Sequence, residues 1–264
     1  GMTTLKIPTV QIVAIGTELV LGRIQDTNSF WLSQQLTDLG AEVRRITVLP
    51  DLLEEVIPAL QGAADNGVDF VVVTGGLGPT PDDLTVEALA KLLGEGTYEE
   101  PSLLEDYMRR RQMNEDELSP GLRKMATVPE SAVVWASPAG WAPCIQIKRM
   151  ETTFFVLPGP PREMEALFDR YVATAISESL EIKSAARRVF VNMSESECSP
   201  LIEEAMERFP GLYAKGYVAL RSDTHMPVDF VARAASDREA RRMLSDAIDL
   251  FSAGVKGLGK DIHY

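Results

Sequence analysis

The chain has 264 residues, 45% of them hydrophobic, and a formal net charge of −13. A balance that acidic repels a nucleic-acid backbone, so DNA or RNA partners are not expected, whereas a small phosphorylated ligand carrying its own cation is compatible with it. No apolar run approaches the ~20 residues of a membrane span and the N-terminus lacks a signal-peptide layout, so no membrane partner and a cytoplasmic location are expected. Gly1 ahead of Met2 reads as an expression remnant. Cys144 and Cys198 stand far apart with no C-x-x-C pair, which argues for buried structural thiols rather than a disulfide framework or a zinc site.

In chain order, residues 10–15 form an apolar strand ending at Gly16-Thr17-Glu18. A helix is expected from about Asn28, with Phe30, Leu32, Leu36 and Leu39 as apolar positions and Gly40 closing it. A second strand over 42–49 stops at Pro50, and Asp51 stands before a helix striped by Leu53, Val56, Ile57 and Leu60. Asp69-Phe70-Val71-Val72-Val73-Thr74 is a β-branched run of the kind buried on both faces of a parallel sheet. It ends in Gly75-Gly76-Leu77-Gly78-Pro79-Thr80-Pro81, and from Asp83 onward Val86, Leu89, Ala90 and Leu93 recur at helical spacing. This rhythm predicts parallel strands with right-handed crossovers, and ligands of such sheets bind outside the strands' carboxyl ends.

The glycine turn lets a backbone approach an anion closely. It is not a G-x-x-x-x-G-K-[ST] loop, and Pro81 stands where the third glycine of G-x-G-x-x-G would fall. No lysine or arginine lies between Thr74 and Val86, yet Asp82 and Asp83 are adjacent. A phosphate beside two carboxylates needs screening, for which a divalent cation such as Mg²⁺ is the economical candidate. A plainer alternative is that Asp82 caps the helix and Asp83 favours its dipole. Asp26-Thr27-Asn28 adds a cap-like group on the same rim.

Further on, a polar helix around 101–112 and a short one near 121–125 precede an antiparallel strand pair at 132–135 and 143–147. A buried strand over 153–157 runs into Pro158-Gly159-Pro160-Pro161-Arg162-Glu163, a stiff corner before a helix carrying Met164, Leu167, Phe168 and Val172. Residues 178–186 read as a linker or as that helix continuing. Strand 188–193, helix 199–208, strands 213–221 and 228–234, helix 238–251 and a flexible glycine tail complete a small α+β unit. Trp31, Trp135 and Trp141 read as core or interface. His225, in a turn, and His263, in the tail, offer no catalytic base.

With these residues in view, the chain resembles the CinA family (competence/damage-inducible protein A), in its N-terminal molybdopterin-binding-like domain. The matching pieces are Ile15-Gly16-Thr17-Glu18-Leu19, Asp26-Thr27-Asn28, the Thr74–Thr80 turn, Asp82-Asp83-Leu84-Thr85 and Leu157-Pro158-Gly159-Pro160-Pro161, with Tyr213-Ala214-Lys215 and Leu220-Arg221 in the second domain. The resemblance implies a three-layer, mostly parallel α/β domain over 1–180 and a small α+β domain over 181–264. It also implies molybdopterin, its adenylated form or a nucleotide such as ADP-ribose as ligand, in a homo-oligomer (dimer or trimer). On this view Asp83 and Asp51 hold a divalent metal, and Asp82 or Glu18 orients water. Gly16, Thr17, Asn28, Thr74, Gly75, Gly76, Gly78, Pro79, Thr80, Pro158, Gly159, Pro160 and Pro161 line the ligand. The activity expected is metal-dependent cleavage of a nucleotide pyrophosphate, against a non-catalytic binding module or a molybdenum-cofactor biosynthetic enzyme. Pro81 stands where many family members carry lysine, and Asn192-Met193-Ser194-Glu195-Ser196 replaces a glycine-rich turn. The C-terminal deamidase domain of longer members is not expected.

Overall fold

A computed structural model describes residues 6–264; the remark on Gly1 concerns a residue outside them. The chain divides into two compact units, the larger comprising Pro8–Thr37 and Ala41–Ser179.

The larger unit opens with β1 (Thr9–Ile15), a short helix α1 (Thr17–Val20), α2 (Thr27–Leu39), β2 (Glu42–Leu49), α3 (Leu53–Asp65) and β3 (Phe70–Thr74). After the glycine turn come α4 (Thr85–Leu93), β4 (Thr97–Glu99), α5 (Pro101–Arg111), α6 (Pro120–Met125) and β5 (Thr127–Pro129). The unit closes with β6 (Val133–Trp135), β7 (Cys144–Arg149), β8 (Thr152–Leu157), α7 (Pro161–Leu167), a π-helical stretch at Phe168–Val172, and α8 (Ala173–Ser179). The six-stranded sheet runs in the order β2-β1-β3-β8-β7-β6. Its first four strands pair in parallel, β7 pairs antiparallel with both β8 and β6, and β7 alone runs against the rest.

All five residues of β3 are buried, as a strand covered on both faces requires. Val71 and Val73 join one core with Val56 and Leu60 of α3 and Ala88 and Leu89 of α4. Val72, of opposite parity, is equally buried, as are Leu32 and Leu36 of α2. The chain leaves β1 for β2 on one side and returns to β3 on the other. The sheet therefore has its switch point between β1 and β3, where a crevice opens outside the strand ends.

Several expectations need correction. Phe30 is 69% exposed; the buried positions of α2 are Ser29, Leu32 and Leu36. Helix α4 begins at Thr85 with Leu84 as its N-cap, so neither Asp82 nor Asp83 caps it. The β4–β5 ribbon escaped notice because three-residue strands carry too little pattern.

The smaller unit gathers Leu180–Tyr264 with Asp38–Gly40 and, of the described N-terminal residues, Lys6 and Ile7. It holds β9 (Lys183–Val191), α9 (Glu195–Arg208), β10 (Leu212–Gly216), β11 (Met226–Ala234), α10 (Asp237–Gly257) and β12 (Ile262–His263). Its antiparallel sheet runs β10-β11-β9-β12, with Phe230 of β11 edge-on to Phe251 of α10 at 5.1 Å. Residues 183–186, read as linker or helix, are strand: Lys183 already pairs with Ala234. The expected strand over 213–221 stops at Gly216 and is followed by a 3₁₀ turn at Val218–Leu220. The supposed tail is ordered structure. Ala247, Ile248, Phe251 and Val255 carry α10 to Gly257, and β12 then pairs with β9 and sets the rings of His263 and His225 4.8 Å apart.

Cys144 and Cys198 are both buried and free. Burial pushes the Cys144 thiol well above its usual range and that of Cys198 up to about 11, so both are unreactive near neutrality. No helix among the described residues is long and apolar enough to cross a membrane.

Candidate functional site

At the carboxyl ends of β1, β3 and β8 lies a cavity of about 640 Å³. Its floor is the glycine turn, and two of the glycines are there by necessity. Gly75 (φ +107°) and Gly76 (φ +72°) occupy the left-handed region that side chains disfavour. A Cβ on Gly75 would sit 2.1 Å from the Ile15 carbonyl oxygen, and one on Gly76 2.0 Å from Thr85 Oγ1. The turn is pinned further: Gly75 N–H donates to the Leu157 carbonyl (3.0 Å), and Thr85 Oγ1 to the Gly75 carbonyl (2.8 Å).

Two aspartates are tethered in the same way. Asp51 Oδ2 accepts from Thr17 N–H (2.9 Å) and Thr17 Oγ1 (3.1 Å), because α1 turns its first residue back toward the end of β2. Asp83 Oδ2 accepts from Thr80 N–H (3.0 Å) and Thr80 Oγ1 (2.8 Å). Each carboxylate keeps its Oδ1 without a hydrogen bond among the described residues, and both aspartates line the cavity. A third polar group ties three strand ends together. Asn28 Nδ2 donates to Thr74 Oγ1 (3.2 Å) and to the Gly159 carbonyl (2.8 Å), while Thr74 Oγ1 donates to the Pro158 carbonyl (2.8 Å). Asn28 Oδ1 is buried with no hydrogen-bond partner among the described residues, an acceptor awaiting a donor.

The structure thus brings most of the expected residues to one cavity. From β1 and the segment after it come Gly16, Glu18 and Asn28; from β2 comes Asp51. The central turn supplies Thr74, Gly75, Gly76, Gly78, Pro79 and Asp83, and the β8 corner supplies Pro158, Gly159, Pro160 and Pro161. Three expected residues do not line it. Thr17 and Thr80 instead hold the two aspartates, and Asp82 is exposed because the turn ending at Asp83 points it outward. Sequence reasoning gave no cavity role to Met125 or Trp141, and it named Asp26 only as part of a cap-like group on the rim and Glu163 only as part of the stiff corner; all four stand in the cavity wall. A smaller cavity of about 330 Å³ adjoins the first across Gly76–Gly78 and bears Lys91 and Lys124.

Residues 11–178 match the family model of the probable molybdopterin binding domain. The crystal structure of the protein CinA with unknown function from Thermoplasma acidophilum is 34% identical, with a TM-score of 0.58 covering 62% of this chain and 95% of that one. This chain belongs to the CinA family. A Pyrobaculum aerophilum protein is 35% identical over 90% of this chain and 91% of its own. A CinA-like protein of Mycolicibacterium gilvum is 35% identical over 74% of this chain, which spans 48% of that relative's length. The family match covers the sheet that carries the cavity from Gln11 onward.

Proposed function

We propose that the cavity is the site of a metal-dependent hydrolase that cleaves the pyrophosphate of ADP-ribose-like nucleotides. The observation that carries this reading is the pair of tethered aspartates, each with one oxygen fixed by a threonine and the other uncommitted. Glu18, Asp26, Asp51, Asp83 and Glu163 face the cavity, and among the described residues no lysine or arginine does. A pyrophosphate therefore enters only with a cation to screen it.

The donor set fits a hard divalent ion. No three His, Cys, Asp or Glu side chains gather as a metal site among the described residues. The support for a cation of the Mg²⁺ type is instead the hard oxygen donors of Asp51 and Asp83, since such an ion typically takes one or two carboxylates and completes its shell with substrate phosphates and water. Asp83 and Asp51 would hold it, and such an ion supplies charge neutralisation and a more acidic bound water. The Gly75–Pro79 backbone would orient the phosphates. Glu18 folds over Gly16, where an added Cβ would lie 2.5 Å from its Oε1, and from there orients the attacking water.

The second reading is a module that binds molybdopterin or a nucleotide without turnover. It is supported by the family description and by Pro81, which gives the turn no lysine. A product assay with ADP-ribose, with and without divalent metal, separates the two. Metal-dependent AMP and ribose phosphate, lost in Asp83→Asn, are expected. Absence of product with tight calorimetric binding would replace the hydrolase with the binding module.

A further inference from the structure

We propose that Glu163 is a specificity-determining residue of the cavity, its carboxylate accepting two adjacent hydrogen-bond donors at the end of the ligand away from the phosphates. The inference rests on the reading that the phosphates lie at the glycine turn. Glu163 is the third residue of α7, a position from which a glutamate commonly folds back onto the N-cap N–H. Here the N-cap is Pro160, which has no N–H, so that return is closed. Among the described residues nothing donates a hydrogen bond to the Glu163 carboxylate, which lines the cavity instead.

Its position is fixed by the loop beside it. A Cβ on Gly140 would lie 2.2 Å from Glu163 Oε1 and 2.3 Å from Cδ, so the carboxyl rests directly on that glycine. Ser137 Oγ accepts from Gly140 N–H (2.8 Å) and Ala139 N–H (3.2 Å). Arg110 donates to the Gly140 carbonyl (2.7 Å) and lies 4.0 Å over the Trp141 ring, which Tyr107 meets edge-on. Arg110 attracts the carboxylate, but its hydrogen bonds go to Gly140 and Asp106. Burial raises the Glu163 carboxyl above the ordinary range more than Arg110 lowers it.

A carboxylate with both oxygens uncommitted is a two-point acceptor. Two kinds of ligand end match it: the ring N–H plus amine of a 2-amino-4-oxo-pyrimidine, as in guanine or a pterin, and the vicinal hydroxyls of a ribose. Calorimetry with Mg²⁺ distinguishes them, using GDP, IDP, ADP and 2′,3′-dideoxy-ADP, with inorganic pyrophosphate reporting the phosphate end alone. Wild type preferring GDP to ADP tenfold or more, with Glu163→Gln erasing the preference, assigns the heterocycle edge. Equal affinities for GDP, IDP and ADP, falling about tenfold on loss of the hydroxyls and equally on Glu163→Gln, assign the diol. In both cases pyrophosphate binding stays within twofold, and Gly140→Ala, which displaces the carboxyl without removing it, reproduces the loss. Nucleotide affinities indifferent to both variants, with pyrophosphate still bound, would overturn the assignment of Glu163 alone; wild type that binds no pyrophosphate removes the phosphate-end reading and this assignment with it.

Discussion

The cavity wall places its carboxylates by two opposite means. At the glycine turn, Asp51 and Asp83 each receive an N–H and a hydroxyl from one threonine, so one oxygen is immobilised and the other presented. Glu163, in the same cavity wall, receives no donor among the described residues; it rests against Gly140, with the charge of Arg110 nearby. Tethered carboxylates suit a task with fixed geometry, such as holding a cation, because little ordering remains to be done when it arrives. An untethered one suits a task in which the ligand supplies the missing donors.

The sharpest test of this contrast is Asp83→Asn, expected to lower metal-dependent turnover about 100-fold or more while leaving the fold intact. Equal loss in Glu163→Gln would abolish the distinction between the two. Next in size, Gly75→Ala is expected to lower stability by about 3 kcal/mol or more, since its Cβ meets a backbone oxygen at a positive φ. Gly140→Ala meets only a movable side chain and is expected to cost less than half of that; urea denaturation compares the two. Thr74→Val strands the Pro158 carbonyl and leaves the Asn28 amide with only its Gly159 partner, for an expected loss of about 1–3 kcal/mol in the same experiment.

A pH series sharpens the comparison at Glu163. Because burial raises that carboxyl, it protonates at a higher pH than an ordinary glutamate, so donor-dependent affinity is present above this raised value and falls as pH is lowered through it. The profile is expected to flatten in Glu163→Gln. The same shift makes the native state hold the proton more tightly than the unfolded chain does, so this group's contribution to stability is largest in acid and declines as pH rises through its native value. Smallest is Ser236→Ala, which removes the cap on Glu239 N–H at the start of α10. It is expected to cost about 1 kcal/mol in a thermal melt and to leave ligand affinity unchanged.

The parallel strands and the glycine turn were legible because Val71-Val72-Val73 is a continuous buried run and Gly75 and Gly76 stop it at a conformation that favours glycine. The roles of Thr17 and Thr80 were not: a threonine beside an aspartate in space looks like any polar loop residue until α1 folds it there. Strand β9 was hidden from Lys183 to Ala186 because those residues are half-buried or exposed, which erases the alternation. Trp141 was read as core or interface because nothing in its neighbours shows that one edge faces a cavity. Glu163 did leave a trace. Pro160-Pro161-Arg162-Glu163 sets a glutamate three residues after a cap without an N–H, a combination whose meaning lies in a missing hydrogen bond.

The Asn28–Thr74–Pro158–Gly159 hydrogen bonds knit the β1-to-α2 segment, β3 and β8 into one knot, so a change in any of the three disturbs the others. The Ser137–Trp141 loop has no member in that knot. If the proposed roles hold, relatives are expected to diverge in which molecules they accept by rewriting that loop and residue 163, and to keep the glycine-turn half. Adaptation in such a protein is modular, and its history is expected to be written mainly in one part of the cavity wall.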